Sequence, residues 1–213
     1  MEGNGKIKSI ARKLLDAEAG SHGWDHSERV WRLCEHIGTR EGADLQVLEL
    51  AAFLHDIGRG AEKTSGGGVC HAREGADQAR EILQTHSFDQ DMTENVIHCI
   101  ETHRFRRNNI RPHSLEARVL FDADKLDSLG AVGVGRAFLF AGEVGARLHN
   151  PEMDIAKTRA YSREDTAFRE FSVKLKKIKD CMLTETGRKM AEKRHDFMVD
   201  FFERLNREVF AME

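Results

Sequence analysis

Only two prolines, Pro112 and Pro151, interrupt a chain of 213 residues. Proline removes a backbone donor and clashes with the preceding helical turn, so long stretches of this chain are free to be helical. The apolar residues use that freedom. Ile7, Ile10, Ala11 and Leu14 recur at three- and four-residue spacing, and so do Val30, Leu33, Cys34 and Ile37. Val47, Leu50, Ala51 and Leu54 do the same, as do Val96 and Ile100. Later come Phe168, Phe171, Leu175, Ile178 and Met182, then Met190, Phe197, Phe201, Leu205 and Val209. This is the period of amphipathic helices, and no stretch alternates with the period of a strand. The pattern predicts a single all-α domain over residues 1–213, with a core at about 24–135 and a helical extension at about 136–213.

Bulk chemistry narrows the function classes. Hydrophobic residues make up 40% of the chain, enough for a real core, and 32% are charged with a net charge of -3. Such a balance gives no general attraction to nucleic acid or to a membrane surface. The four cysteines, Cys34, Cys70, Cys99 and Cys181, are scattered, and read as reduced thiols rather than a disulfide frame. No apolar run has membrane-spanning length, and Met1–Lys6 lacks a signal-like hydrophobic core. The expected location is the cytoplasm.

Helix boundaries place the polar residues that matter. His26 precedes Val30 by four residues and so shares its inward stripe. Gly38 to Gly42 should break that helix. The next helix should run from about Asp44 to Asp56 and deliver His55 and Asp56 at its end, with Gly58 as its terminator. Arg59–Gly68 reads as a glycine-rich loop, and it lacks the Gly-Lys-Ser/Thr ending of a phosphate loop. His71 then opens a helix with Ala72, Ala76, Ala79 and Leu83 inside. Ser87-Phe88-Asp89-Gln90 resembles a capping box, and the helix after it ends on His103, in line with Val96 and Ile100. Pro112-His113-Ser114 starts a helix reaching Asp127, apolar on two faces, which should bury Asp124. Gly130–Gly145 reads as a closely packed helix near the site, and His149–Asp165 as irregular.

His26, His55, Asp56 and Asp124 stand out as one set. Each falls on an inward helix face or at a helix end, where a bare imidazole or carboxylate is costly without a partner. A divalent cation satisfies both ligand types. It also lowers the pKa of bound water towards 7, making a hydroxide nucleophile available. For any one of these histidines alone, a hydrogen-bonded core residue is the simpler account; the four together favour a metal.

The order His26, His55-Asp56 and then Asp122-Ala123-Asp124-Lys125-Leu126 resembles the HD superfamily of metal-dependent phosphohydrolases. Asp122–Ala131, Thr184–Gly187 and His195-Asp196-Phe197-Met198 further resemble a compact bacterial subfamily that includes nucleotide pyrophosphohydrolase-like members. The resemblance implies a helical HD-domain bundle with C-terminal helices packed on it, and the four residues above as metal ligands. The fuller order, with His71 and His103 added, is similar to HD proteins holding two metals, which implies Asp56 as the bridge. The expected cofactor is thus two divalent ions, of Mn, Fe, Co, Zn or Mg. One departure stands out. Pyrophosphohydrolase-like members often carry acids just after the His-Asp pair, whereas here none occurs before Glu62.

The expected function is hydrolysis of a small phosphate ester, a nucleotide in particular, by a metal-activated hydroxide. The alternative is a di-iron HD-type oxygenase using the same six ligands. Arginine forks suit phosphate. Arg59, Lys125 and Asp127 are the candidate catalytic residues, and Arg104 and Arg136 the candidate substrate-binding ones. Asp127 is equally readable as a salt-bridge partner of Lys125 or an arginine. Arg106, Arg107 and Arg111 read more simply as a solvated basic patch. Arg194 and His195 match the subfamily pattern without an assignable role. The sequence leaves the oligomer open, a homodimer included.

Overall fold

A computed structural model describes residues 2–16, 22–104, 111–150 and 152–212. Arg106 and Arg107 of the expected basic patch lie outside them. The described residues are helical with no strand, as the apolar period predicts. None of their helices is long and apolar enough to cross a membrane. Backbone proximity divides the chain into two compact units, Met1–Asp124 and Lys125–Glu213.

The first unit is built around one helix. α3 (Leu45–Leu54) starts at Asp44, whose carboxylate accepts from the backbone N–H of Gln46 and Val47. Val47, Leu48 and every residue from Leu50 to Leu54 are buried. A helix apolar all round needs partners on all sides. It packs against α1 (Glu2–Leu15), α2 (Trp24–Glu41), α5 (His71–Thr85) and α6 (Gln90–Thr102). On α1 the inward residues are Ile7, Ala11 and Leu15, and Leu14 faces out, one position away from the expected stripe. α2 ends within the expected Gly38–Gly42 stretch. It continues to Gly42, which closes it in the left-handed region with φ +79°, a conformation glycine adopts freely.

Gly58 is not the terminator expected of it. α3 ends at Leu54, and Gly58 has ordinary negative φ. Its missing side chain serves another purpose. A Cβ there would lie 2.3 Å from the His71 carbonyl oxygen and 2.5 Å from the Gly75 nitrogen, so only glycine lets the chain after Asp56 press on the start of α5. The expected loop is partly helical, with α4 spanning Arg59–Thr64. The expected capping box is also displaced: Asp89 caps α6, accepting from Met92 N–H, and Ser87 adopts a positive φ of 58°. α7 (Leu115–Leu126) runs to the end of this unit and into the next.

In the second unit α8 (Gly130–Glu143) packs against α9 (Ala167–Val173) and α10 (Glu185–Val209). The single helix expected through Phe168–Met182 is two elements. α9 ends at Val173, and a 3-10 run spans Leu175–Cys181. α10 buries Gly187, Ala191, Met198 and Phe202. The expected row of Phe197 and Val209 is exposed, about one residue round the helix from the true face. Phe202 stacks on Phe171 with ring centroids 4.5 Å apart.

Candidate metal centre

All six expected ligands lie in the first unit, and each comes from a different turn of the fold except the adjacent pair. His26 is on α2, His55 and Asp56 follow α3, His71 opens α5, His103 follows α6, and Asp124 is on α7. His26, His55 and Asp56 are fully buried, and His71 and His103 nearly so. Asp124 is less enclosed than its sequence setting suggests, with 15% of its side chain exposed.

The carboxylate of Asp56 stands in the middle. Its Oδ2 lies 3.6 Å from Nε2 of both His26 and His55. Its Oδ1 lies 3.5 Å from His71 Nε2 and 3.6 Å from His103 Nε2. Asp124 Oδ1 joins the first group, 3.4 Å from His26 Nε2. Two trios result, His26–His55–Asp124 and Asp56–His71–His103, each with its ligand atoms within 4.8 Å of one another. Asp56 Oδ1 is buried and has no hydrogen-bond partner. Burial opposes ionisation of Asp56, but Arg59 and His55 outweigh it and hold the carboxyl well below its usual range. An ionised oxygen with no donor is a group in want of a cation.

The imidazoles are oriented to meet that want. His55 Nδ1 lies 2.8 Å from the Ala52 carbonyl, and His103 Nδ1 2.6 Å from that of Ile100. A carbonyl only accepts, so each Nδ1 places its proton there and each ring turns Nε2 towards the centre. His71 Nδ1 lies 2.6 Å from Glu62 Oε2, and a carboxylate likewise only accepts. Arg104 Nη1 also lies 2.8 Å from that nitrogen. Two donors do not bond each other, so Arg104 instead serves Glu62 Oε1, at 2.9 Å. Burial drives the His55 pKa down to about 4. Burial, with Arg59 next, drives that of His71 to about 3. Burial opposes ionisation of Glu62 too, yet hydrogen bonds from Arg104 and His71 bring it to about 2. His71 and His103 face each other, with their Nε2 atoms 3.3 Å apart. The donor set fits divalent ions on both sides of Asp56.

Arg59 Nε donates to Asp56 Oδ2 at 2.5 Å, directly on the centre, and Arg104 reaches it through Glu62. Lys125, Asp127 and Arg136 belong to the second unit. There Asp127 is buried and pairs with Arg136 at 2.8 Å, which is the salt-bridge arrangement the sequence allowed. Arg194 donates to the Leu126 carbonyl at 2.6 Å.

Two site residues escape a reading of the sequence. His22 Nδ1 lies 3.4 Å from Asp56 Oδ2 and could serve an ion together with His26. Its only signal is its place four residues before His26. Glu62 is hidden because a loop was expected where α4 forms. A helix from Arg59 sets Glu62 three residues on, on the same side.

Comparison with known proteins bears on this geometry. A family model described as HD domain matches residues 23–129. The chain is 33% identical to YpgQ of Bacillus subtilis over 207 residues, 96% of this chain and 92% of that protein. The crystal structure of YpgQ in complex with ADP is similar with a TM-score of 0.76 at 30% identity, covering 99% of this chain and 100% of that one. That of an HD-superfamily hydrolase from Bacillus thuringiensis gives a TM-score of 0.75 at 27% identity, covering 99% of this chain and 98% of that one.

Proposed function

The chain belongs to the HD-domain family of metal-dependent phosphohydrolases, and from that premise we propose that it hydrolyses a small phosphate ester, a nucleotide in particular, at a centre of two divalent ions. In this reading His26, His55, Asp56 and Asp124 hold the first ion, and Asp56, His71 and His103 the second. The observation that carries it is the convergence of four imidazole Nε2 atoms on the buried Asp56 carboxylate, one of whose oxygens has no hydrogen-bond partner. Divalent ions held by these residues would supply an ionised water and a clamp for phosphoryl oxygens.

The chain's own residues do the rest. Asp56 gives one oxygen to each side and holds the two positions in register. The carbonyls of Ala52 and Ile100 keep His55 and His103 in the ligating tautomer. Arg59 and Arg104 bring guanidinium charge to the edge of the centre, where it suits a phosphate. The presence of ADP in the YpgQ crystal structure supports a nucleotide as the substrate class. A cytoplasmic setting, reduced thiols, and no nucleic-acid or membrane partner complete the proposal.

The test is a screen of nucleoside mono-, di- and triphosphates and simpler phosphate esters with Mn²⁺-, Co²⁺- and Fe²⁺-loaded protein. Release of phosphate or pyrophosphate is the expected result, and His71→Ala or His103→Ala should lower bound metal from about two ions to about one. No release from any compound with any metal would overturn the hydrolase reading. Oxygen uptake by the iron-loaded protein in its place would assign the oxygenase chemistry.

A further inference from the structure

The histidines of the centre are not held alike. His55 and His103 each give their Nδ1 proton to the carbonyl three residues earlier, Ala52 and Ile100. Those carbonyls belong to the same helix end as the histidine, so forming the helix is enough to choose the tautomer. His71 cannot do this. It is the first residue of α5, and three residues before it the chain is Gly68, outside any helix. Its Nδ1 partner comes from elsewhere: Glu62 Oε2, at 2.6 Å, on the six-residue α4. Glu62 is in turn held by Arg104, which directly follows His103.

We propose that Glu62 is the positioning residue for the second ion, fixing His71 with its proton on Nδ1 so that Nε2 faces Asp56 and His103. The inference rests on the two-ion reading above. A carboxylate behind a ligating imidazole fixes its tautomer and raises its basicity, and losing such a partner commonly weakens metal binding by about 10–100-fold. The consequence is an asymmetry. The ligand that α3 presents is set by local helix geometry, and His71 by a side chain on α4, which has no buried residue. The segment Arg59–Thr64 thereby controls how well the second position is filled.

The decisive variant is Glu62→Gln. The amide keeps the shape and can turn its NH₂ towards Nδ1, which would move the imidazole proton to Nε2 and block the ligand. With α4 peripheral, the variant should fold, and circular dichroism checks this. Glu62→Asp, which keeps the carboxylate, provides a second measurement and should recover part of the binding. Metal-free protein is titrated with Mn²⁺ by equilibrium dialysis, with electron paramagnetic resonance to detect coupled Mn²⁺ pairs. Long-range ¹H–¹⁵N spectra of the metal-free protein read the His71 tautomer directly. Wild type should bind about two ions and show a proton on Nδ1. Glu62→Gln should bind the first ion as before, bind the second about 10–100-fold more weakly, and carry the proton on Nε2. A Glu62→Gln protein that binds both ions at wild-type affinity overturns the role of Glu62 and leaves the two-ion reading standing. A wild type that binds one ion overturns both.

Discussion

Each unit of the molecule buries a polar cluster, and the two clusters end differently. In the second unit Arg169 donates to Asp165 Oδ1 at 2.7 Å, to Thr158 Oγ1 at 2.7 Å and to the Thr158 carbonyl at 3.1 Å. Asp165 Oδ2 accepts the Tyr161 N–H, and Thr166 and Asn150 bond each other. Donors meet acceptors, and the cluster closes on itself. In the first unit four imidazoles turn Nε2 towards Asp56, and one oxygen of that carboxylate has no hydrogen-bond partner. A self-satisfied cluster holds a fold together; one with a buried carboxylate oxygen that no donor meets has an open valence. The difference separates a structural network from a binding site without reference to any ligand.

Asp56→Ala should have the largest effect, since it removes a ligand from both positions: metal content near zero by elemental analysis, and no turnover. His55→Ala should follow it closely. Retained metal and activity in either would reject the open-valence account. Next is Arg169→Met, which leaves Asp165 buried without its cation. It should lower stability by about 3–5 kcal/mol in denaturant titrations and leave the ion content of the folded protein unchanged. Lost metal in that variant would show the closed cluster to be functional. Gly58→Ala should cost about 1–3 kcal/mol and also weaken the second ion, because it pushes against the start of α5 that carries His71. Gly133→Ala in α8, whose Cβ would lie 2.2 Å from the Ser128 carbonyl oxygen, should destabilise comparably without touching the ions. Smallest is Lys189→Ala, at an exposed i,i+4 pair with Glu185, which should stay within about 0.5 kcal/mol.

Much of this was legible in the residues, for definable reasons. His26 could be placed because Val30, Leu33, Cys34 and Ile37 define one inward row, all of it buried. His71 and His103 sit at helix ends that the apolar period marks well. The period fails where two adjacent rows are both apolar. On α10, Phe197 and Phe201 lie next to Met198 and Phe202, and only packing chooses the second pair. It fails also where a helix has no apolar row. Arg59–Thr64 buries none of its residues, so nothing in its composition distinguished a helix from a loop, and Glu62 was missed with it. Gly58 is the third kind of miss. Its role is set by the backbone of α5, which no local reading of the chain can supply.

The inward nitrogens have a consequence for the lifetime of the chain in a cell. Under the proposed occupancy the ions bind the folded chain and not the unfolded one, so they add to stability by mass action, about 2.7 kcal/mol when free metal is a hundred times Kd. Without metal, that contribution is lost. A drop in metal supply then raises the unfolded fraction that proteases remove, and changes of about 1–2 kcal/mol already alter abundance several-fold. The amount of this protein would follow the metal status of its cell, a form of control exerted through turnover rather than through synthesis.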